Sequence, residues 1–203
     1  MVRTLFQQLF AVVFIIVFFG IVVAVDSVSS KRRDAELLVR SMVGLKMGTS
    51  SFNAARELAE AYGGKPTSGG PTGERCSAQA CTFTFVIDNR PLSYIPGVSA
   101  VQFVATVGVK DGYVTERQIH YNILNRTGGV DFAYFLIDHL DSHGFDVQKL
   151  KVDAEGMPHI LKVNLGQSAT ADERRRAYSI ELSCLAFRLH GCRRAAAVFP
   201  AGL

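Results

Sequence analysis

The chain has 203 residues, nearly half of them apolar (48%), with 20% charged residues, four cysteines and a formal net charge of +4. That length holds one domain of ordinary size beside a long apolar segment, and the modest positive charge gives no ground for assigning a nucleic-acid partner.

The segment is Leu5 to Val25, LFQQLFAVVFIIVFFGIVVAV, with no polar side chain from Leu9 onward. At about 1.5 Å of rise per residue it would make roughly 31 Å of helix, the thickness of a bilayer's hydrocarbon core. A cleavable signal has a shorter apolar region followed by small residues. This run is longer and ends VVAVDS, where Val22 and Ala24 form a poor cleavage site. Residues 1–25 are therefore read as an uncleaved transmembrane anchor. A buried core helix would be shorter and would show polar periodicity.

Sidedness draws opposite votes. Lys31, Arg32, Arg33 and Arg40 after the span outweigh Arg3 before it, which favours a cytoplasmic domain. The cysteines fall in two close pairs, Cys76 with Cys81 and Cys184 with Cys192, as an oxidising compartment produces. The basic run begins six residues beyond Val25, which weakens its vote. The expectation is an extracytoplasmic domain, with the bilayer and another protein as partners.

Residues 26–48 read as a helical stalk beside the membrane. Ala35, Leu38, Met42 and Leu45 recur at helical steps, and Gly44 and Gly48 stand where the helix would end. The basic residues there suit a solvated face near lipid headgroups. Residues 49–203 read as the soluble domain. GTSSFNAARELAEAYGG is a short helix: Thr49, Ser50 or Ser51 can cap its start, Gly63-Gly64 its end, and Phe52, Ala55, Leu58, Ala59 and Tyr62 form its apolar face. Lys65 to Arg75 is a loop rich in Gly and Pro.

From Cys81 the period becomes two. In CTFTFVID, Cys81, Phe83, Phe85 and Ile87 alternate with the other face. Val98–Val109 and Tyr113–Leu124 flank Lys110-Asp111-Gly112, a hairpin signal because both central residues of such a turn need positive φ. Phe145–Val152 and Met157–Leu165 read as a second hairpin. Val130–Leu140 fits a helical stripe as well as a strand and is taken as a strand from its place between hairpins. Thr170 and Glu173 form a capping box that opens a last helix running to about His190, with Tyr178, Leu182, Leu185, Ala186 and Leu189 on its apolar face. The apolar tail from Ala195 to Leu203 would lie back on the domain. The fold class is α+β: an antiparallel sheet of five or six strands with helices packed on one face.

The capped helix ending in Gly-Gly, CSAQACTFTF and ATADERRRAYSIELSCLAFRLHGC, together with the amino-terminal anchor, resembles an uncharacterised family of bacterial membrane-anchored proteins. The resemblance implies an envelope protein. The family has no assigned activity, so it brings no catalytic residues with it.

Cys184 and Cys192 would stand about 12 Å apart along a continuous helix, while a disulfide needs Cα atoms within about 7 Å. Their pairing requires the chain to turn back, for which Gly191 is placed. Cys76 and Cys81 would close a short loop. Crossed pairing stays open on spacing alone, and a four-cysteine zinc site is the alternative, although its gaps exceed the usual two to four residues.

One constellation has the density of a metal site, Asp138-His139-Leu140-Asp141-Ser142-His143. On a helix His139 and His143 would share a face at the spacing zinc enzymes use, but no glutamate follows His139; on a strand they would stand about 13 Å apart. A polar turn before Gly144 is the plain reading. No Gly-x-Ser-x-Gly elbow and no glycine-rich phosphate loop occurs, and no cofactor is implied. Arg174, Arg175 and Arg176 point in three directions on a helix and so form no stripe. They are read as solvated or paired with carboxylates. The leading expectation is a non-catalytic module that binds a protein or the membrane surface, against a metal-dependent hydrolase using His139 and His143. A pilin-like subunit fits the outline but would carry a glutamate early in the apolar helix, where this chain has Gln7 and Gln8.

Overall fold

The structure, a computed structural model, describes residues 2–68, 76–89, 100–125, 129–186, 192, 198–200 and 203. Before Ser29, the side chains described are those of residues 10, 12–16, 18–20, 22, 23 and 26.

Helix α1 (Val2–Gly44) is one unbroken helix of 43 residues. Its second half is built into the domain: Ala35, Leu38 and Met42 are fully buried and Val39 nearly so. The stripe read from the sequence as a stalk is thus part of the core. Its first half is different, because Phe10, Phe14, Ile15, Ile16, Phe18 and Phe19 are all exposed. Among the described residues no helix is long and apolar enough to cross a membrane. The expected transmembrane helix is thus not found among the described residues.

Helix α2 (Phe52–Tyr62) starts at Ser51, whose side chain accepts from Ala54 N–H, and closes at Gly63 in the left-handed conformation (φ 68°). Ala55, Leu58 and Ala59 turn inward, and a hydrogen bond of 3.1 Å between Ser41 Oγ and the Tyr62 hydroxyl ties α2 to α1.

The two helices cover one face of a seven-stranded sheet made of β1 (Lys65–Ser68), β2 (Ala80–Asp88), β3 (Ala100–Lys110), β4 (Tyr113–Leu124), β5 (Val130–His139), β6 (Phe145–Val152) and β7 (Pro158–Leu165). Its order is β1-β2-β3-β4-β5-β7-β6. Both hairpins form where the turn signals stand. Asp111 and Gly112 take φ of 53° and 86°, the positive pair that a tight turn of this kind needs.

Three expectations need correction. The sheet has seven strands rather than five or six. The extra one is β1, inside the segment read as a loop, where Pro66 is tolerated because β1 is an edge strand. The sheet is also mixed: β5 and β7 run parallel, because β6 takes the outer edge and β7 returns between it and β5. Lastly, the final helix α3 (Ala171–Tyr178) stops well short of His190. Ser179 ends it, since its hydroxyl donates to Arg176 O at 2.7 Å, a local bond that competes with helix continuation. A 3₁₀ turn, Leu182–Leu185, follows. The capping box of Thr170 and Glu173 is present.

This break brings Cys184 and Cys192 to 5.8 Å between Cα atoms, and they are disulfide-bonded. Gly191, the expected pivot, lies outside the described residues, as do Arg188, Leu189, Arg193 and Arg194. Cys76 and Cys81 form the other disulfide, with Cα atoms 4.6 Å apart. From the tail, Val198 is fully buried and Phe199 packs on the core.

Candidate functional site

The inward face of the sheet is built from cross-strand rows. One reads Phe103, Tyr121, Tyr134 and Leu161; the next reads Ala105, Ile119, Leu136 and Val163. The third ends differently, with Val107, Arg117, Asp138 and Leu165. Two charged residues therefore occupy core positions, with side chains only 5% and 1% exposed.

Each has several partners among the described residues, with the Arg117 Nε the one buried donor of the pair left without a hydrogen bond there. Arg117 Nη2 donates to Asp138 Oδ2. Its Nη1 donates to the carbonyls of Met42 at 2.8 Å and Leu45 at 3.0 Å. These belong to the last turn of α1 and the residue after it, where helix carbonyls lack partners and the dipole favours a cation. Arg117 thus holds the end of α1 onto β4. Asp138 collects two further donors, Arg174 Nη1 at 2.6 Å on Oδ1 and the Tyr178 hydroxyl at 3.1 Å on Oδ2, so it holds α3 onto β5. Arg174 also donates to Gly166 O at 2.5 Å. The Arg117 guanidinium lies 5.2 Å from the centre of the Tyr178 ring, within cation–π range.

The electrostatics suit holding rather than proton transfer. An arginine keeps its proton in proteins. Burial pushes the Tyr178 hydroxyl far above its usual range, and burial does the same to Tyr134, whose hydroxyl donates to Ala177 O at 2.6 Å. Asp138 is closed off from water and already accepts three hydrogen bonds.

Above this cluster a cleft of about 470 Å³ opens between the end of α1 and α3. Val39, Val43 and Ala171 form its apolar wall, and Arg40, Arg117, Arg174 and Arg175 are the cations that reach it.

The expected metal residues lie elsewhere. His139 ends β5 on the face opposite Asp138, and its Nδ1 accepts from Asp141 N–H at 3.1 Å. His143 is exposed in the turn before Gly144. Among the described residues no group of three or more His, Cys, Asp or Glu could hold a metal ion. All four cysteines are in disulfides. Arg174 fulfils the expectation of pairing with a carboxylate; Arg175 pairs with Asp172 at 2.8 Å.

Sequence reasoning missed Arg117 and read Asp138 only within the metal-like run before Gly144, although a signal existed. In β4, Arg117 is in phase with Ile119, Tyr121 and Ile123, and in β5 Asp138 is in phase with Tyr134 and Leu136. A charged residue at the buried phase of a strand has to find a partner. Comparison of the chain with protein-family models, curated sequences and solved structures finds no match.

Proposed function

We propose that this chain is a single-pass membrane protein in which α1 anchors a non-catalytic binding domain on the extracytoplasmic side of the cytoplasmic membrane, where the domain engages an envelope protein or the membrane surface. The observation that carries the reading is the two-part character of α1. One helix passes without interruption from exposed Phe14, Ile15, Phe18 and Phe19 to buried Ala35, Leu38 and Met42. A helix that is apolar all round and uncovered is unstable in water, and lipid is the solvent that suits it. The run without polar side chains from Leu9 to Val25 supports the same conclusion.

Two disulfides favour the oxidising side of the membrane. The buried ion-pair cluster ties α1, β4, β5 and α3 together, which suits a rigid binding scaffold. Alkaline carbonate extraction of membranes carrying the full chain tests the anchor. The native chain should stay in the pellet, and Ile15→Lys combined with Phe19→Lys should move it to the supernatant, since a lysine near the middle of a span costs about 2.5–3.5 kcal/mol. A native chain that washes off would refute the reading.

A further inference from the structure

The cleft beside the end of α1 has more positive charge than its own carboxylates answer. Four guanidinium groups reach it, and the carboxylates that pair with them are Asp138 and Asp172. Arg117 is committed to Asp138 and to the carbonyls that close α1. Arg174 is committed to Asp138 and Gly166 O, with its side chain 28% exposed. The outer two are held less firmly. Arg175 and Asp172 are 77% and 71% exposed, so water screens their pair and it contributes little. Arg40 is exposed and has no carboxylate partner among the described residues. The same cleft has an apolar wall in which Val43 is 48% exposed.

We infer that this cleft binds an amphiphilic organic anion: a carboxylate or phosphate attached to a compact apolar group. The charge would sit between Arg40 and Arg175, with Arg174 behind it, and the apolar part would lie against Val39 and Val43. A volume of about 470 Å³ falls within the range of small-ligand sites, which combine apolar walls with a few convergent polar groups. Guanidinium groups match carboxylate and phosphate geometry, and charge-assisted hydrogen bonds are the stronger kind.

The direction of approach rests on the anchoring reading. The apolar run ends at Val25, and Arg40 and Val43 lie 15 and 18 residues farther along the same helix. That is about 22–27 Å at 1.5 Å per residue, and still about 17 Å from the span at a tilt of 40°. The headgroup layer on each side is only about 5–8 Å deep. The anion therefore arrives from the aqueous side, as a free small molecule or as an acidic residue carried by a partner's peptide.

The test uses the full chain in nanodiscs of neutral lipid, with 4-fluorobenzoate as probe and fluorine NMR as readout. Saturable binding is expected. Phenyl phosphate should compete and neutral benzamide should not, and Arg40→Ala with Arg175→Ala should weaken binding about tenfold or more. Both substitutions are at exposed side chains, and retained disulfides and circular dichroism confirm that the variant is folded. Acetyl-Leu-Glu-Leu-amide, whose one charge is the glutamate, separates the sources. Displacement at lower concentration than benzoate itself needs supports a peptide-borne anion; the reverse supports a free one. No saturable binding at millimolar probe, or binding unchanged in the double variant, overturns the site. Loss of probe binding in discs containing anionic lipid overturns the aqueous approach. A chain that washes off membranes yet binds the probe would end the anchoring reading alone, and an anchored chain that does not bind would end the site alone.

Discussion

Asp138 occupies a position that the alternation of β5 assigns to an apolar side chain, and its cost there is offset by three donors from two elements, β4 and α3. Removing one partner of such a buried set leaves the others charged and unanswered, which typically costs about 3–5 kcal/mol. Asp138→Asn should therefore lower the unfolding free energy of the full chain, read from denaturant titration, by an amount in that range. A change under about 1 kcal/mol would show that Arg117 and Arg174 find other partners. His139 and His143 stand outside this network. Alanine at either should change stability by no more than about 0.5 kcal/mol, and metal analysis of the purified chain decides whether they matter otherwise: stoichiometric zinc lost with either histidine would favour the hydrolase reading over the binding module.

His120 tests the same logic through pH. It packs edge-on against Phe135 with ring centres 5.0 Å apart, and partial burial holds its pKa below the ordinary value. The unfolded chain then takes up the proton first as the pH falls below about 6.5. Stability should decline from there through the lower folded pKa. His120→Phe should flatten that part of the stability–pH curve relative to the native chain, and superimposable slopes would contradict the assignment.

At the scale of elements, the two glycines that end α2 do different things. Gly63 needs its left-handed backbone (φ 68°), with open space where a Cβ would go. Gly64 needs its missing side chain, because a Cβ there would stand 2.5 Å from the buried Phe85 ring. Gly63→Ala should cost about 1–2 kcal/mol from backbone strain. Gly64→Ala should cost about 1–3 kcal/mol from overpacking and should also perturb the near-UV signal of the core. Equal, negligible effects would mean that α2 ends elsewhere.

The elements also show what could be read in advance. Strands with one buried face and a two-residue turn, such as β3 and β4, were legible because the local pattern is the cause of the structure. The parallel pairing of β5 with β7 was not, since it depends on which strand β7 sits beside and no local period encodes that choice. The end of α3 was half legible: Ser179 and Ile180 are poor helix formers, but the apolar stripe of Tyr178, Leu182 and Leu185 continues through the break into a 3₁₀ turn. The arginine cleft was illegible as a site, because Arg40, Arg117 and Arg174 are brought together only by tertiary packing. Their common element in the sequence is a charge in phase with apolar neighbours at Arg117.

On the scale of the whole molecule, α1 has one half buried in the domain and another whose described side chains are exposed. Its buried half is fixed by the Arg117 cap and by the core, so the domain and the exposed apolar half form one continuous rod-and-domain unit. The disulfides close loops of sequence separation 5 and 8, worth roughly 2–3 kcal/mol each on loop-closure grounds. The proposed orientation puts these bonds, and with them the domain, outside the cytoplasm. Labelling intact cells that carry the full chain with a membrane-impermeant maleimide tests this most directly. With the domain outside, no labelling is expected until an external reductant is added, and then four labelled cysteines. Four thiols that react without reductant, and only after the membrane is permeabilised, would contradict it.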